Sequence, residues 1–339
     1  MEPTPPVTNG RVKTMAKSAL SGSMRRWIRD QRKRLLSRYR SFFLGKRINE
    51  GRFIARKVDF NNVEGLLNFD FSLFSGRERN GTSAMLRVKN EEAKIEYCLR
   101  SILTAFDEIV VVDNESKDKT LDIVRKIKEE TDREDKIKIF SYPFKIARCG
   151  SEHWNTPENS VHSLVYYYNW ALSQCSHRYV CKWDGDMVLR EEALESFKIF
   201  LQRIQSQTTK CWIVPGQTLY RDLAGNYYLA KGEINGEVRV FPYGFNPRYH
   251  KAEHWEVLKG ERPLDIDRVD AIVFYELKFA DEEEFSHWTT TDFPTPRKRR
   301  EWENFQLIKE GKVTDSRFEE LPACLLNAQL PCITNSRAT

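Results

Sequence analysis

Several features are missing from this 339-residue chain. No apolar run approaches the roughly 18 residues that a membrane-spanning helix needs. The opening MEPTPPVTNG lacks the apolar stretch of a secretory signal. The seven cysteines are odd in number and none sits in a C-x-x-C pair. That usage speaks against a disulfide framework and for free thiols in a reducing compartment. Cys175, His177 and Cys181 are close in sequence, but no second ligand pair accompanies them to complete a zinc site. The expectation is a cytoplasmic protein, with a peripheral place at a membrane surface as the option its N-terminal arm leaves open.

Charge is abundant but unevenly placed. Residues 11–57 hold 16 Lys/Arg against 2 Asp/Glu, while the whole chain is only +6 and residues 1–10 add one acid. Residues 58–339 are therefore net −7, so basicity belongs to an N-terminal arm and not to the body. Residues 1–22 are expected to be a disordered tail. Within residues 23–80, the stretch 23–44 spaces Met24, Trp27, Ile28, Leu35, Tyr39 and Phe42 almost helically among arginines, as in a basic amphipathic helix. Such a helix suits either docking on the body with its basic face in solvent or a peripheral contact with anionic lipid. No recognisable nucleic-acid reader accompanies it, and no specific nucleic acid is expected.

From residue 81 the pattern becomes regular. SAMLRV reads as a strand, and the following stretch places Ile95, Cys98, Leu99 and Ile102 on one helical face. Ile109–Val112 form a continuous apolar run, as in a strand buried on both sides. It ends in Asp113-Asn114, and Asp118 is placed to cap the next helix. KIKIFSYPF, HSLVYYYNWALSQC, RYVCKW and REEALESFKIFLQRI continue as strand, helix, strand and helix. This alternation predicts an α/β fold with a mostly parallel central sheet and helices on both faces. Beyond residue 210 a smaller mixed region is expected, with Asn235-Gly236 as a hairpin turn and Asp281 with Glu284 as a capping box. Residues 291–339 read as a peripheral C-terminal tail.

Ligands of parallel sheets bind outside the carboxyl ends of the strands. Asn90-Glu91, Asp113-Asn114 and Asp184-Gly185-Asp186 fall at three of those ends. Two carboxylates flanking one glycine repel each other unless a cation sits between them. Hard divalent ions favour oxygen ligands, so the stretch reads as a metal-diphosphate site, with a plain turn as the alternative. The spacing alone is weak, because Asp265–Asp267 repeats it with no buried strand before it. The strand before Asp184 and the helix after Asp186 make the difference.

RVKNEEAKIEYCLRSIL, DEIVVVDNESKDKT and YVCKWDGDMVL resemble three successive signatures of family-two glycosyltransferases of the GT-A, Rossmann-like type. The resemblance covers 82–205 well and 206–290 loosely, giving a transferase domain at 81–290. It implies inverting transfer from a nucleotide-diphosphate sugar (a UDP- or GDP-sugar) with Mn2+ or Mg2+. Carried over by position, Arg87, Asn90 and Glu91 line the nucleotide pocket, Asp113 meets the nucleobase, and Asp184 lies near ribose and metal. Asp186 is the direct metal ligand. Each of these residues also suits an ordinary strand end or helix start.

Inversion needs a base opposite the diphosphate, and Glu253, His254 and Glu256 are the candidates. Their spacing departs from the family pattern, so the choice stays open. Glu276 stands where relatives often carry a metal-binding histidine, and as an oxygen ligand it can substitute. An arginine found shortly before Asn169 in some relatives is missing, with His162 or Arg148 as possible replacements. Trp154, Tyr166–Tyr168, Trp183, Tyr243, Trp255 and Trp288 offer aromatic faces for a glycan, lipid-linked or protein acceptor, or serve as core. A non-catalytic nucleotide-sugar or glycan-binding protein is the alternative. A nucleotidyltransferase fits less well, since RVKNEEAK lacks a glycine-rich phosphate loop.

Overall fold

In a computed structural model, the described residues are 59–71, 79–131, 135–206, 210–243, 247–260, 264–280, 285, 295–322 and 325–328. The expected tail at 1–22, the expected amphipathic helix at 23–44, the expected Asp281/Glu284 capping box and Trp288 lie outside them. Strands β1 (Asp59–Phe60) and β2 (Phe69–Asp70) pair with each other. The main run is β3 (Arg79–Val88), α1 (Ile95–Ile102), β4 (Glu108–Asp113), α2 (Thr120–Thr131), β5 (Ile137–Ser141), α3 (Ser151–Asn155), α4 (Leu164–Ser173) and β6 (His177–Asp184). It continues with β7 (Met187–Leu189), α5 (Glu191–Ile204), β8 (Lys210–Arg221), β9 (Tyr227–Ala230), β10 (Asn235–Pro242), β11 (Arg248–Lys251) and β12 (Glu256–Lys259). The chain closes with β13 (Asp265–Arg268), β14 (Phe274–Phe279), α6 (Pro296–Lys309), β15 (Phe318–Leu321) and α7 (Leu325–Ala328).

Eleven strands form one mixed sheet with the path β15-β9-β8-β10-β6-β3-β4-β5. Its parallel part is the set β6, β3, β4 and β5. All six residues of β4 are buried, as its unbroken apolar run requires. Because side chains alternate across a strand, Ile109 and Val111 pack with α1, α2 and α5, while Val110 and Val112 pack with α4. Helices therefore cover both faces. Beyond β6 the sheet turns antiparallel through β10, β8, β9 and β15, with β13 and β14 joining β8 in parallel.

Asn235-Gly236 is not a hairpin turn. Asn235 and Gly236 lie inside β10, opposite Gly216 and Pro215 of β8. Strand β8 is twelve residues long, and β10 and β9 both pair with it, along different stretches. The positive φ falls instead at Gly232. A Cβ at Gly236 would come within 2.9 Å of Ile213 Cγ2, so close strand packing explains this glycine.

Asp265–Asp267 lies on the edge strand β13, where Asp267 pairs with Lys210 at 2.9 Å. Helix α6, capped by the Thr295 hydroxyl, buries Phe305 and Ile308 against Tyr220, Phe285 and Phe318. Strand β15 extends the main sheet, a packing that reading 291–339 as peripheral does not anticipate. Among the described residues, Cys98, Cys149, Cys175, Cys181 and Cys211 are free thiols, and no helix is long and apolar enough to cross a membrane.

Candidate functional site

Register brings the strand-end residues together. Across β3, Val88 faces Asp113 on one side and Arg87 faces Asp184 on the other. The two turns beyond β3 and β4 are stitched to each other. Asn90 N–H donates to Ser116 Oγ and Lys117 N–H to Asn90 Oδ1, at 2.9 and 2.8 Å. Glu91 N–H donates to Thr120 Oγ1 at 2.7 Å, and Asp118 Oδ1 accepts from Thr120 N–H, as a cap does. Asn90 has φ 55°, a left-handed conformation that asparagine tolerates. Asp113 is buried and accepts from Ser116 N–H at 3.3 Å. The ordinary roles and the sequence-predicted placement thus coincide at one sheet edge.

Asp184 is the last residue of β6; Gly185 and Asp186 form the turn into the short β7. Helix α5 follows that strand. A Cβ at Gly185 would meet Val88 Cγ1 at 2.9 Å and Glu91 Cγ at 3.2 Å. Glycine is needed here so that the turn can pack against the end of β3.

The acids are already paired with buried bases. Asp184 Oδ1 accepts from Arg87 at 2.5 Å and Oδ2 from Arg239 at 2.8 Å. Burial opposes its ionisation, but Arg239, Arg87 and Lys182 hold its carboxyl far below the usual carboxylate range. Asp186 Oδ2 accepts from Lys278 Nζ at 2.7 Å, and the same ammonium reaches Glu276 Oε1 at 3.1 Å. Asn235 Nδ2 donates to the other Glu276 oxygen at 2.8 Å. Burial again opposes charge at Glu276, yet Lys278, Lys298, Arg297 and Arg239 keep its carboxyl well below the ordinary range. Lys182 binds Glu237 at 3.1 Å and Glu256 at 3.4 Å. Lys182 holds the Glu237 carboxyl down to about 2 against burial, with Arg239 assisting. The Arg87 guanidinium stacks 3.5 Å from the Tyr168 ring centre.

Asp184, Asp186 and Glu276 as arranged do not fit a divalent ion. Both Asp184 oxygens serve guanidinium groups, and Lys278 bridges the other two acids. A divalent ion about 4 Å from an ammonium would be repelled by roughly 8 kcal/mol at an effective dielectric near 20. No group of three or more His, Cys, Asp or Glu among the described residues has metal-holding geometry.

The base candidates separate. Ala252–Trp255 form the turn of the β11–β12 hairpin, and there Glu253 is largely exposed, 3.8 Å from His254. Glu256 is buried and joined through Lys182 to the acid-base cluster. Arg148 pairs with Glu152 and His162 binds the Lys145 carbonyl. Positive charge at Asp184 comes instead from Arg87, Arg239 and Lys182. Trp183, Tyr166, Tyr167 and Tyr243 are core. His177 faces Ser83 and Glu108.

Arg239, Lys182, Glu237, Asn235 and Lys278 are site residues that the sequence reading missed. Their signal was available as charges at alternate positions of otherwise apolar strands. Lys182 and Asp184 on β6, Glu237 and Arg239 on β10, and Glu276 and Lys278 on β14 are each two residues apart, hence on one face.

The sheet defines an α/β protein whose strand-end acids gather at the carboxyl ends of parallel strands, where ligands of such sheets bind. Residues 83–145 match the family model described as glycosyl transferase family 2. That segment contains Arg87, Asn90, Glu91 and Asp113 and ends before Asp184. The chain is similar to a crystal structure of S. aureus TarS 1-349 in complex with UDP, at 16% identity and TM-score 0.38 over 58% of this chain and 60% of that one. It is also similar to the mannosyltransferase PcManGT from Pyrobaculum calidifontis in complex with GDP-Man and Mn2+, at 19% identity and TM-score 0.29 over 40% and 35%. A third is glucosyl-3-phosphoglycerate synthase from Mycobacterium tuberculosis with Mn2+, UDP and glucosyl-3-phosphoglycerate, at 19% and 0.27 over 45% and 48%. The chain thus spans at most 60% of the length of these structures. No curated protein matches it.

Proposed function

We propose that this chain transfers a sugar from a nucleotide-diphosphate sugar to an acceptor hydroxyl with inversion at the anomeric carbon. One observation carries the reading: a family-2 segment delivers Asn90, Glu91 and Asp113 to the same sheet edge as Asp184 and Asp186. In this reading Asp113 and the 90–91 turn hold the nucleoside. The acceptor oxygen attacks the anomeric carbon from the face opposite the diphosphate. The bond from that carbon to the diphosphate oxygen breaks, and its electron pair leaves with the diphosphate. Glu256 takes the acceptor's proton; of the three candidates, it alone is tied to the Asp184 face through Lys182. A cavity of about 390 Å³ beside Asn235, lined by Lys231, Glu233, Arg297, Arg300 and Glu301, gives a polyhydroxylated acceptor polar partners.

The Mn2+ or Mg2+ ion expected from the motif would require Lys278 to release Asp186, and Arg87 and Arg239 to release Asp184, first. The test is release of UDP or GDP from a panel of nucleotide sugars by the full chain, with Mn2+, with Mg2+ and with chelator. Release from at least one donor, lost in Asp113→Ala, is the expected result. A folded chain that binds UDP or GDP but releases neither from any donor is a binding protein, and the transfer reading then fails.

A further inference from the structure

We infer that Lys278 is a resident cation that takes the place of a divalent metal at Asp186 and Glu276. The inference rests on the glycosyl-transfer reading for its role and on ion-pair geometry for its location. Lys278 Nζ lies 2.7 Å from Asp186 and 3.1 Å from Glu276, and its side chain is only 4% exposed. A lysine is rarely buried to this extent unless it is paired, and here the partners are the two carboxylates that the motif assigns to a metal. Glu276 stands at the position where a third metal ligand was expected. Lys278 is two residues further on, on the same face of β14.

The charge balance supports this placement. Arg239 and Arg87 against Asp184, and Lys278 against Asp186 and Glu276, bring three positive charges to three carboxylates. The acids are therefore neutralised by fixed side chains, as a bound cation would neutralise them. The ammonium and guanidinium groups face the negative charge that grows on a departing diphosphate, and no proton moves between them and it. Fixed N–H donors set in advance do what a Lewis acid does for a leaving group, without ion binding as a separate step.

The test combines metal binding with turnover. Mn2+ alone is titrated into the full wild-type chain and Lys278→Met, with bound ion read by electron paramagnetic resonance, then repeated with UDP and with GDP. Mn2+ should bind Lys278→Met at least about 100-fold more tightly than wild type once the ammonium repulsion is gone. Wild-type donor turnover should persist in chelator. In Lys278→Met it should fall about 100-fold and recover in part with Mn2+. Lys278→Arg, which keeps the charge, should remain chelator-insensitive, and it decides the matter should the methionine variant fail to fold. Stoichiometric micromolar Mn2+ binding by wild type, or turnover lost in chelator and restored by Mn2+, would overturn the inference. If no donor is turned over under any condition, the transfer reading fails, while the Mn2+ titrations still decide the place of Lys278.

Discussion

Glu108 gives the most quantitative prediction. It opens β4, distant in the sheet from the strand carboxyl ends, and its carboxylate accepts from Ser83 Oγ, Ser176 N–H and Ser176 Oγ at 2.5, 2.9 and 2.8 Å. Burial opposes its ionisation, but hydrogen bonds from His177, Ser83 and Ser176 bring its carboxyl from 4.5 down to about 2. A group whose folded value is depressed stabilises the fold above its unfolded value and loses that contribution as pH falls through the folded one. The drop corresponds to about 3 kcal/mol at pH 7 and roughly 1.4 kcal/mol at pH 3. Glu108→Gln keeps the shape and removes the charge. Urea unfolding at pH 7 should show a loss of about 3 kcal/mol, shrinking by more than half at pH 3. Nucleotide binding by the folded fraction should not change. A loss under about 1 kcal/mol at pH 7, or one that is constant with pH, would refute the assignment of these hydrogen bonds as the source of the shift.

Two further predictions concern the site. Gly185→Ala should cost about 1–3 kcal/mol in thermal or urea unfolding because its Cβ meets Val88 and Glu91; an unchanged midpoint would mean the turn has slack that the structure does not show. Glu256→Gln should lower donor-to-acceptor transfer by about 10²–10⁴-fold with little change in UDP or GDP affinity. Glu253→Gln should stay near wild type, and the reverse pattern would move the base to the hairpin turn.

The parallel half was legible because its signals are local. Four consecutive apolar β-branched residues, Ile109 to Val112, suit a strand covered on both faces, and polar residues at its end mark the strand's carboxyl end. The second half was not legible in the same way. Asn235-Gly236 has the local chemistry of a turn, but pairing with the long β8 overrides it, and the glycine serves packing against Ile213. The acids at 184 and 186 were found from their strand. Their partners Arg239 and Lys278 lie 55 and 92 residues away, and only sheet register reveals them. A motif read from its own residues shows where negative charge gathers but not what already neutralises it.

The reach from Asp186 to Lys278 also has a consequence for the order of events as the chain is made. The acid pair, its glycine turn and β3, β4 and β6 exist as polypeptide long before residue 278 emerges. During that interval Asp186 lacks the lysine that later binds it, and β7 lacks the strand that pairs with it. Contacts of such long sequence separation form late, after the loop-closure entropy has been overcome. Until residues 274–279 are available, β7 and the end of β8 lack the strand that pairs with both. A chain truncated before residue 278 would carry Asp184-Gly185-Asp186 intact but lack the lysine that binds Asp186.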